Sequence, residues 1–346
     1  MQDLFESMDR MRRQQGQTLE RKGFGPQTTP SQVLLETPRL RLHSYGGDAG
    51  GALALIVPAP IKRHYIWDMA PPCSVVAHAL RAGLRPALIE WKDPIPGPEP
   101  LGLAAYGKTM IGECIAAMAA LHGDAPVVLM AHSLGGVLAV IYAAVAPQWV
   151  AALVLIESPL HFDAATGSFR RLLQLLPAGQ PITALFDAVP GSVLNLASMT
   201  AAPYTFGMER FADLLWSLLS REATRRHRQV ERWTLDEAPM APHLFEEVLR
   251  ELYQQDRLYR GTLEIDGETV GPSCIGCPIL VVHDPRSRII PTASVLGFQA
   301  ATASANKCAL PYEGDIGVGL AHVGALVGDN AHRRLWPRIF EWLQVA

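Results

Sequence analysis

The sequence lacks the features of several large classes of protein. No apolar run reaches the roughly 18 residues that a membrane-spanning helix needs. Basic charge is not in excess, since 30 lysines and arginines stand against 33 aspartates and glutamates. The formal net charge of −3 therefore gives no electrostatic reason to expect nucleic acid as a partner. The charged N-terminal stretch MQDLFESMDRMRRQQ has no apolar segment typical of a secretory signal, so we expect a cytoplasmic protein.

Cysteine is scarce, and the five cysteines are scattered along the chain. An odd, dispersed set is typical of reduced thiols and not of a disulfide framework. Cys274 and Cys277, in CIGCP, have the spacing of half a zinc or redox site, but no second pair accompanies them. We interpret them as ordinary buried cysteines. No nucleotide-binding loop or metal cluster is recognisable, and we expect neither a cofactor nor a metal at the active centre.

What the sequence has in quantity is apolar segments, which alternate between the patterns of strands and helices. From about residue 33, the strand-like segments ALALIV, RPALIEW, VVLMAH and ALVLI are separated by helical ones. This alternation predicts an α/β protein with a doubly wound, mostly parallel sheet. The alternation stops at residues 160–262, where helical patterns dominate, and resumes with PILVVHD and KCALPYE. We therefore expect a core of residues 33–159 and 263–346, with residues 160–262 inserted as a helical cap.

Residues 1–32 are expected to form a separate N-terminal arm or helix. Apolar residues recur there at helical spacing, namely Met1, Leu4, Phe5, Met8 and Met11. This face either packs on the rest of the chain or docks a partner. Within the cap, the charge run RRHRQ, residues 225–229, is interpreted as a solvated helix face.

The segment PVVLMAHSLGGVLAVIYAA, residues 126–144, predicts a nucleophilic serine. An apolar strand runs into Ser133, and an alanine-rich helix begins directly after it. Such a tight strand-to-helix turn needs small residues two positions away on each side, which here are Ala131 and Gly135. The turn lifts the hydroxyl above the edge of the sheet, next to the positive end of the helix. A serine that merely caps a buried helix is the alternative.

A neutral serine hydroxyl needs a base within hydrogen-bond reach. In a sheet of this kind the histidine comes late, and the glycine-rich segment GVGLAHVGALVG places His322 there. His332 falls inside the last helix, where we expect it to be exposed. His132 should point away from its neighbour Ser133, and His283 is interpreted as a packing residue.

The sequence leaves the identity of the acid open. Its usual place in this architecture is four residues before the proline of the loop that follows PILVV. Here that position, counted from Pro291, is Ser287, which cannot be an acid. Glu157, at the end of the strand ALVLI, is our first choice, because a charged residue that ends an apolar strand is unusual. Asp284, in the same loop as Ser287, is the fallback.

The tetrahedral intermediate of acyl transfer needs two N–H donors. One is expected to be the amide of Leu134, directly after the nucleophile. The other should come from the loop VPAPIKRHY, in which Pro58 and Pro60 have no N–H. Ile61 has the first amide after the second proline, and Lys62 is the alternative.

Several separated motifs resemble the polyhydroxyalkanoate synthase (PhaC-like) branch of the α/β-hydrolases. They occur in the order seen in that branch: APIKRHYIWD, a helix and strand that end in WKDP, LFEEVLRELYQQDRLYRGTLEIDGETV and the histidine loop AHVGALVG. The resemblance covers roughly residues 50–160 and 240–345. It implies an α/β-hydrolase fold and an acyl-enzyme mechanism with the chain order serine, acid, histidine.

Two departures from that branch affect the expected function. Polymerising synthases use a cysteine nucleophile where this chain has Ser133, and their acid occupies the position of Ser287. Because a thiolate exchanges thioesters readily whereas a serine ester suits attack by water, we expect a serine hydrolase of small-molecule esters or thioesters. The alternatives are a polyhydroxyalkanoate synthase-like acyltransferase and an inactive accessory protein of polyester granules. Either a homo-oligomer or a granule contact could use the N-terminal helix.

Overall fold

A single eight-stranded sheet organises the chain. It is seen in a computed structural model that describes residues 2–95, 97, 100–162 and 186–346. The strands are β1 (Gln32–Glu36), β2 (Leu40–Ser44), β3 (Leu53–Val57), β4 (Arg85–Trp91), β5 (Val127–His132), β6 (Val150–Ile156), β9 (Ile279–His283) and β10 (Lys307–Pro311). They lie side by side in the order β1-β2-β4-β3-β5-β6-β9-β10. The short strands β7 (Leu263–Ile265) and β8 (Glu268–Val270) form a separate hairpin.

The strand directions confirm the predicted, mostly parallel sheet. Six adjacent strands are parallel to one another, in the order β4-β3-β5-β6-β9-β10. Strands β2 and β1 extend this sheet beyond β4 as antiparallel strands. Parallel strands need crossovers, and helices supply them between successive strands. The carboxyl ends of β3, β5, β6 and β9 therefore meet at one edge of the sheet, which is where such folds place their sites.

Helices cover both faces of the sheet, as the uninterrupted apolar strands require. In β3, Leu53, Leu55 and Val57 face one layer of the core, and Ala54 and Ile56 face the other. The first layer is formed by α3 (Ile111–His122), α4 (Leu134–Val145) and α10 (Thr292–Ala301). The second layer is formed by α2 (Val75–Arg81), α11 (Gly324–Val327) and α12 (Trp336–Leu343).

The described part of the insertion between β6 and β7 is mostly helical, with loops between the helices. Its helices are α5 (Gly191–Ala201), α6 (Arg210–Ser217), α7 (Arg221–Thr234), α8 (Pro242–Glu247) and α9 (Arg257–Arg260). The expected cap also includes residues 163–185, which lie outside the described residues. Within the described ranges, no helix is both long enough and apolar enough to cross a membrane.

The charge run in α7 is not the solvated face that its composition predicts. Arg226 and His227 are buried, and each pairs with a carboxylate from another element. The His227 Nδ1 atom lies 3.1 Å from Asp213, and Arg226 forms an ion pair with Asp329. A run of charges can therefore line an interior contact when acidic partners come from elsewhere in the chain.

The N-terminal residues form helix α1 (Gln2–Leu19), which packs on the cap through its polar face. Leu4 and Met11 on the predicted apolar face are more than half exposed, Met8 is 36% exposed, and only Phe5 packs against the core. Met1 lies outside the described residues. Polar bonds fasten the opposite face instead, chiefly through the buried carboxylate of Asp9. The apolar stripe thus remains on the outside of the molecule.

Replacing Asp9 should measurably destabilise the protein. Its carboxylate accepts hydrogen bonds from the amides of Gly191 (3.0 Å) and Ser192 (2.8 Å), and also from the Ser192 hydroxyl. Asp9→Ala leaves buried N–H groups without a partner, which we expect to cost about 1–3 kcal/mol of unfolding free energy. Urea denaturation measures this loss. Asp3→Ala, an exposed position on the same helix, is the control and should cost no more than about 1 kcal/mol. Equal losses in both variants would contradict the anchoring role of Asp9.

Candidate active site

Ser133 occupies a strained turn between β5 and α4. Its backbone has φ 55° and ψ −131°, a conformation that L-residues rarely adopt. Its amide donates to the Ile156 carbonyl at 3.0 Å, and its carbonyl accepts from the Gly136 amide at 2.9 Å. These bonds hold the turn against the neighbouring strand β6. The Ser133 side chain consequently stands at the carboxyl edge of the sheet, where the predicted nucleophile should be.

The two glycines after Ser133 are required by close packing. A Cβ atom on Gly135 would lie 2.2 Å from the Val57 carbonyl oxygen, and one on Gly136 would lie 2.0 Å from the Ser158 hydroxyl. Neither distance is possible for real atoms. The helix can therefore approach the ends of β3 and β6 only because both positions lack a side chain.

The His322 ring and the Glu157 carboxylate lie together at the same edge. His322 is in the short turn Ala321–Val323, after β10, and its Nδ1 atom is 3.4 Å from Glu157 Oε2. Glu157 directly follows β6 and has φ 46°. Its amide donates to the Val282 carbonyl at 2.9 Å, and its Oε1 atom accepts from the Asp284 amide. The carboxylate is thus fixed between β6 and β9 with one oxygen directed at the imidazole.

Asp284, the fallback acid, pairs with Arg286 instead of the imidazole. Its Oδ1 atom accepts from the Arg286 amide at 2.8 Å and lies 3.2 Å from Arg286 Nε. Ser287, at the usual acid position, lies close enough to Glu157 for its side chain to oppose the rise in the pKa of that carboxyl group. Of the two carboxylates proposed from the sequence, the structure brings Glu157 to His322.

A single cavity of about 250 Å³ connects the predicted site residues. Ser133, Leu134, Ile61 and His322 all line it, and so does Lys62. Most of the remaining wall is apolar and includes Phe162, Phe206, Met240, Phe245 and Leu249. In the described part of the chain, no hydrogen bond joins the Ser133 hydroxyl to the His322 ring. Catalytic hydrogen bonds are often long or unformed in the absence of substrate.

Burial dominates the electrostatics of the histidine–glutamate pair. It lowers the pKa of His322 to about 4 and raises the pKa of Glu157 to about 8, with the nearby charge of Asp284 adding to the latter shift. Both shifts favour the uncharged form of each group. At pH 7 the resting pair therefore holds a proton on the carboxyl group, while the imidazole is neutral.

The three other histidines considered from the sequence have structural partners. His132 is buried, and its Nε2 atom lies 2.9 Å from the His322 carbonyl oxygen, so it supports the turn that carries His322. His283 is also buried and contacts Thr292. His332 is not the exposed residue expected from the sequence: it is only 5% exposed, and its Nε2 atom lies 2.8 Å from the Leu326 carbonyl oxygen. Cys274 and Cys277 are free thiols, each partly exposed and not fully buried as expected.

A buried carboxylate that the sequence did not single out ties three parts of the site together. Glu237, in the cap, has no exposed surface. Its Oε2 atom is 2.6 Å from Lys62 Nζ, and its Oε1 atom is 2.5 Å from Arg12 Nε. Lys62 belongs to the predicted oxyanion loop, and Arg12 belongs to α1. Because Arg12 and Lys62 both line the cavity, this cluster (Arg12, Lys62 and Glu237) joins the cap, the loop and the N-terminal helix beside it.

The fold, with Ser133 in the strained turn between β5 and α4, is that of an α/β-hydrolase. The profile of the α/β-hydrolase fold family matches residues 76–310, which is more than half of the chain, and the protein belongs to that family. Its relatives are PhaC-like. The chain is 26% identical to the poly(3-hydroxyalkanoate) polymerase subunit PhaC of Haloarcula marismortui, with 91% of this chain and 67% of the relative covered. It is 23% identical to the subunit of the same name from Allochromatium vinosum, with 91% and 88% covered.

Solved structures show the same fold at low sequence identity. A crystal structure of a lipase-like protein from Sulfolobus solfataricus superposes with a TM-score of 0.57, at 14% identity, over 91% of this chain and 93% of the other. At this identity the similarity concerns the fold alone.

We expect Glu157→Gln to reduce turnover far more than Asp284→Asn. The glutamine removes the charge that stabilises the imidazolium, whereas Asp284 acts on the ring only through Glu157. We expect a loss of kcat of about 10²-fold or more for Glu157→Gln and less than about 10-fold for Asp284→Asn. Steady-state kinetics on a short-chain nitrophenyl ester measure both. The reverse order would assign the acid to Asp284.

Moving the acid from position 157 to position 287 provides a matched control for the comparison of Glu157→Gln with Asp284→Asn. Because Ser287 lines the same pocket as Glu157 and His322, an aspartate at position 287 would place its carboxylate near the same imidazole. The double variant Glu157→Gln with Ser287→Asp should recover part of the lost turnover. Ser287→Asn in the same background should recover none, which separates the charge from the change in side-chain volume.

The pH profile should report the proton held by the pair. Since the pKa of Glu157 is raised to about 8, the ionised carboxylate with a neutral imidazole becomes populated as the pH rises through that value. That form is the one able to accept the serine proton, so kcat/KM should increase from pH 6 to about pH 9. In Glu157→Gln the rise of kcat/KM with pH should occur at lower pH. It would then depend on the ionisation of His322, whose pKa is lowered by burial. Identical profiles in both proteins would contradict the assignment.

Proposed function

We propose that the protein is a PhaC-like acyltransferase that carries hydroxyacyl groups as an ester of Ser133. The observation that supports this most directly is the shared cavity of Ser133 and His322, with Glu157 3.4 Å behind the imidazole. The similarity to polymerase subunits over 91% of the chain favours transfer between acyl carriers over simple ester cleavage. The proposed substrate is a small hydroxyacyl thioester.

In the proposed first step, the Ser133 oxygen attacks the thioester carbonyl and His322 takes the serine proton. The amides of Leu134 and Ile61 would donate to the oxyanion, and Glu157 would stabilise the imidazolium. Collapse of the intermediate breaks the carbon–sulfur bond, and the departing thiolate takes the proton from His322. The products of this half-reaction are a free thiol and a serine ester.

In the second step, a hydroxyl group replaces the serine. The hydroxyl of another hydroxyacyl unit would lose its proton to His322 and attack the serine ester. Collapse of the intermediate breaks the bond to the Ser133 oxygen, which takes the proton back from His322, and a new ester bond is left. The apolar wall around the cavity supports this acceptor, because it disfavours bound water relative to an organic hydroxyl. Repetition of the cycle would lengthen a polyester.

Hydrolysis is the second candidate, and the serine itself favours it. A cysteine nucleophile would preserve the energy of the thioester in the intermediate, whereas an ordinary serine ester does not. Water then competes more effectively as the final acceptor. This was the function expected first from the sequence. An inactive accessory role is the third candidate, but the arrangement of Ser133, His322 and Glu157 supports a catalytic function.

The exposed apolar stripe of α1 supports a contact with a polyester surface or with a second copy of the chain. Leu4 and Met11 are exposed on it, and the cap adds Phe211, Leu215 and Trp216 as further exposed apolar side chains. This contact stays a prediction. It does not depend on the chemistry of the cavity.

Partition of one substrate separates the three candidate functions. Purified protein is given 3-hydroxybutyryl-CoA, and free CoA, free acid and oligomeric ester are measured together. Transfer predicts CoA release with oligomer in excess of free acid, hydrolysis predicts equal amounts of CoA and acid, and the accessory role predicts neither. Ser133→Ala should lower CoA release by about 10³-fold or more in either enzymatic case. Turnover that survives this change would rule out the serine ester.

A further inference from the structure

Three side chains with metal-binding atoms meet at the antiparallel edge of the sheet, outside the lining of the catalytic cavity. His43 lies on β2, Glu90 on the adjacent β4, and His64 in the turn His64–Trp67. One ligand atom from each residue lies within 4.8 Å of the others. Two imidazoles and one carboxylate form a donor set that suits zinc, with room for a water as the fourth ligand.

The local contacts already orient His43 for such a role. Its Nε2 atom lies 2.7 Å from Glu90 Oε2, and its Nδ1 atom lies 3.2 Å from the Ser31 hydroxyl. With Nδ1 held by that hydroxyl, Nε2 is the atom that faces the carboxylate. Metal-binding histidines are commonly fixed in this way through the ring nitrogen that does not bind the metal.

The second imidazole has no competing partner in the described part of the chain. The His64 ring stacks on the His43 ring with centroids 5.2 Å apart and an interplanar angle of 17°, and no hydrogen bond to its nitrogens is found among the described residues. A partly buried imidazole beside a carboxylate, with no other partner for its nitrogens among the described residues, is suited to donating a lone pair.

We propose that His43, His64 and Glu90 bind one divalent transition-metal ion of the zinc class. The ion would link β2 and β4 to the loop that carries the predicted oxyanion donor, since His64 follows Ile61 by three residues. Its role would be structural, because none of the three residues lines the cavity of Ser133. No metal cluster is recognisable in the sequence, so this proposal departs from the expectation of no metal.

One cation of the protein opposes the metal. Arg41 Nη1 lies 3.3 Å from Glu90 Oε2, while the other side of the guanidinium pairs with Glu36. A metal on Glu90 would have to tolerate or displace this contact. Removing the Arg41 charge should therefore tighten metal binding, whereas removing His64 should weaken it. Opposite signs at two neighbouring positions are not expected from a general loss of stability.

Cobalt titration tests the proposal. Protein treated with a chelator and then freed of it is titrated with Co²⁺, and visible absorption and metal content are followed. We expect one Co²⁺ per chain, displaced by Zn²⁺. His64→Gln should weaken the apparent affinity by about 10–100-fold or more, and Arg41→Gln should strengthen it. His243→Gln is the matched control, because His243 and Glu247 form a histidine–carboxylate pair for which the described residues supply no third ligand.

The melting temperature gives a second measurement of metal binding on the same variants, for the case in which one variant is unstable. Zn²⁺ should raise the melting temperature of the unaltered protein and of His243→Gln, but not that of His64→Gln. Failure to bind Co²⁺ at one equivalent, or equal affinity in His64→Gln and His243→Gln, would overturn the proposal. If His64→Gln does not fold, weaker binding in Arg41→Gln would overturn it as well.

Discussion

The site depends on two residues that are held at positive φ at the ends of adjacent strands. Ser133 follows β5 with φ 55°, and Glu157 follows β6 with φ 46°. Each conformation costs of order 1–3 kcal/mol, so the surrounding sheet must stabilise it. The amide of Ser133 bonds across to Ile156 and that of Glu157 bonds across to Val282, which extends the parallel ladder by one residue on both strands. The register of β5, β6 and β9 consequently fixes where the hydroxyl and the carboxylate stand.

Much of this arrangement could be predicted from the sequence because its signals are local. The apolar strand, the serine and the small residues around it all fall within one short segment, and close packing requires them there. The late, glycine-rich histidine loop is a similar local signal. The local sequence does not distinguish Glu157 from Asp284 as the acid, because each residue follows one of two neighbouring strands and both are buried. Only the pairing of Asp284 with Arg286 and the direction of the Glu157 carboxylate separate them.

The predictions that were wrong concern charges whose partners lie far away in the chain. Of the two alternatives for the apolar face of α1, packing on the chain is not what most of that face does, because Leu4 and Met11 are exposed and the buried anchor of the helix is Asp9. Arg226 and His227 are expected from the sequence to be solvated, yet both are buried and pair with Asp329 and Asp213. A run of charged residues indicates that burying it would cost free energy. It does not show whether an oppositely charged residue from elsewhere in the chain offsets that cost. The grouping of His43, His64 and Glu90 escaped notice for the same reason, since three separate segments supply it.

The cluster of Arg12, Lys62 and Glu237 connects the fold to the question of which acceptor is used. A serine ester is intrinsically open to water, so transfer to another hydroxyl requires that the cavity admit an organic group and restrict water. Glu237 holds the oxyanion loop, the cap and α1 in contact at the cavity wall, with no exposed surface of its own. A carboxylate buried between two cations is costly to separate once formed, because parting them leaves an unpaired charge in the interior. The enclosure is therefore kept by the same residues that position a predicted oxyanion donor, and the balance between transfer and hydrolysis would follow from how firmly these three parts stay together.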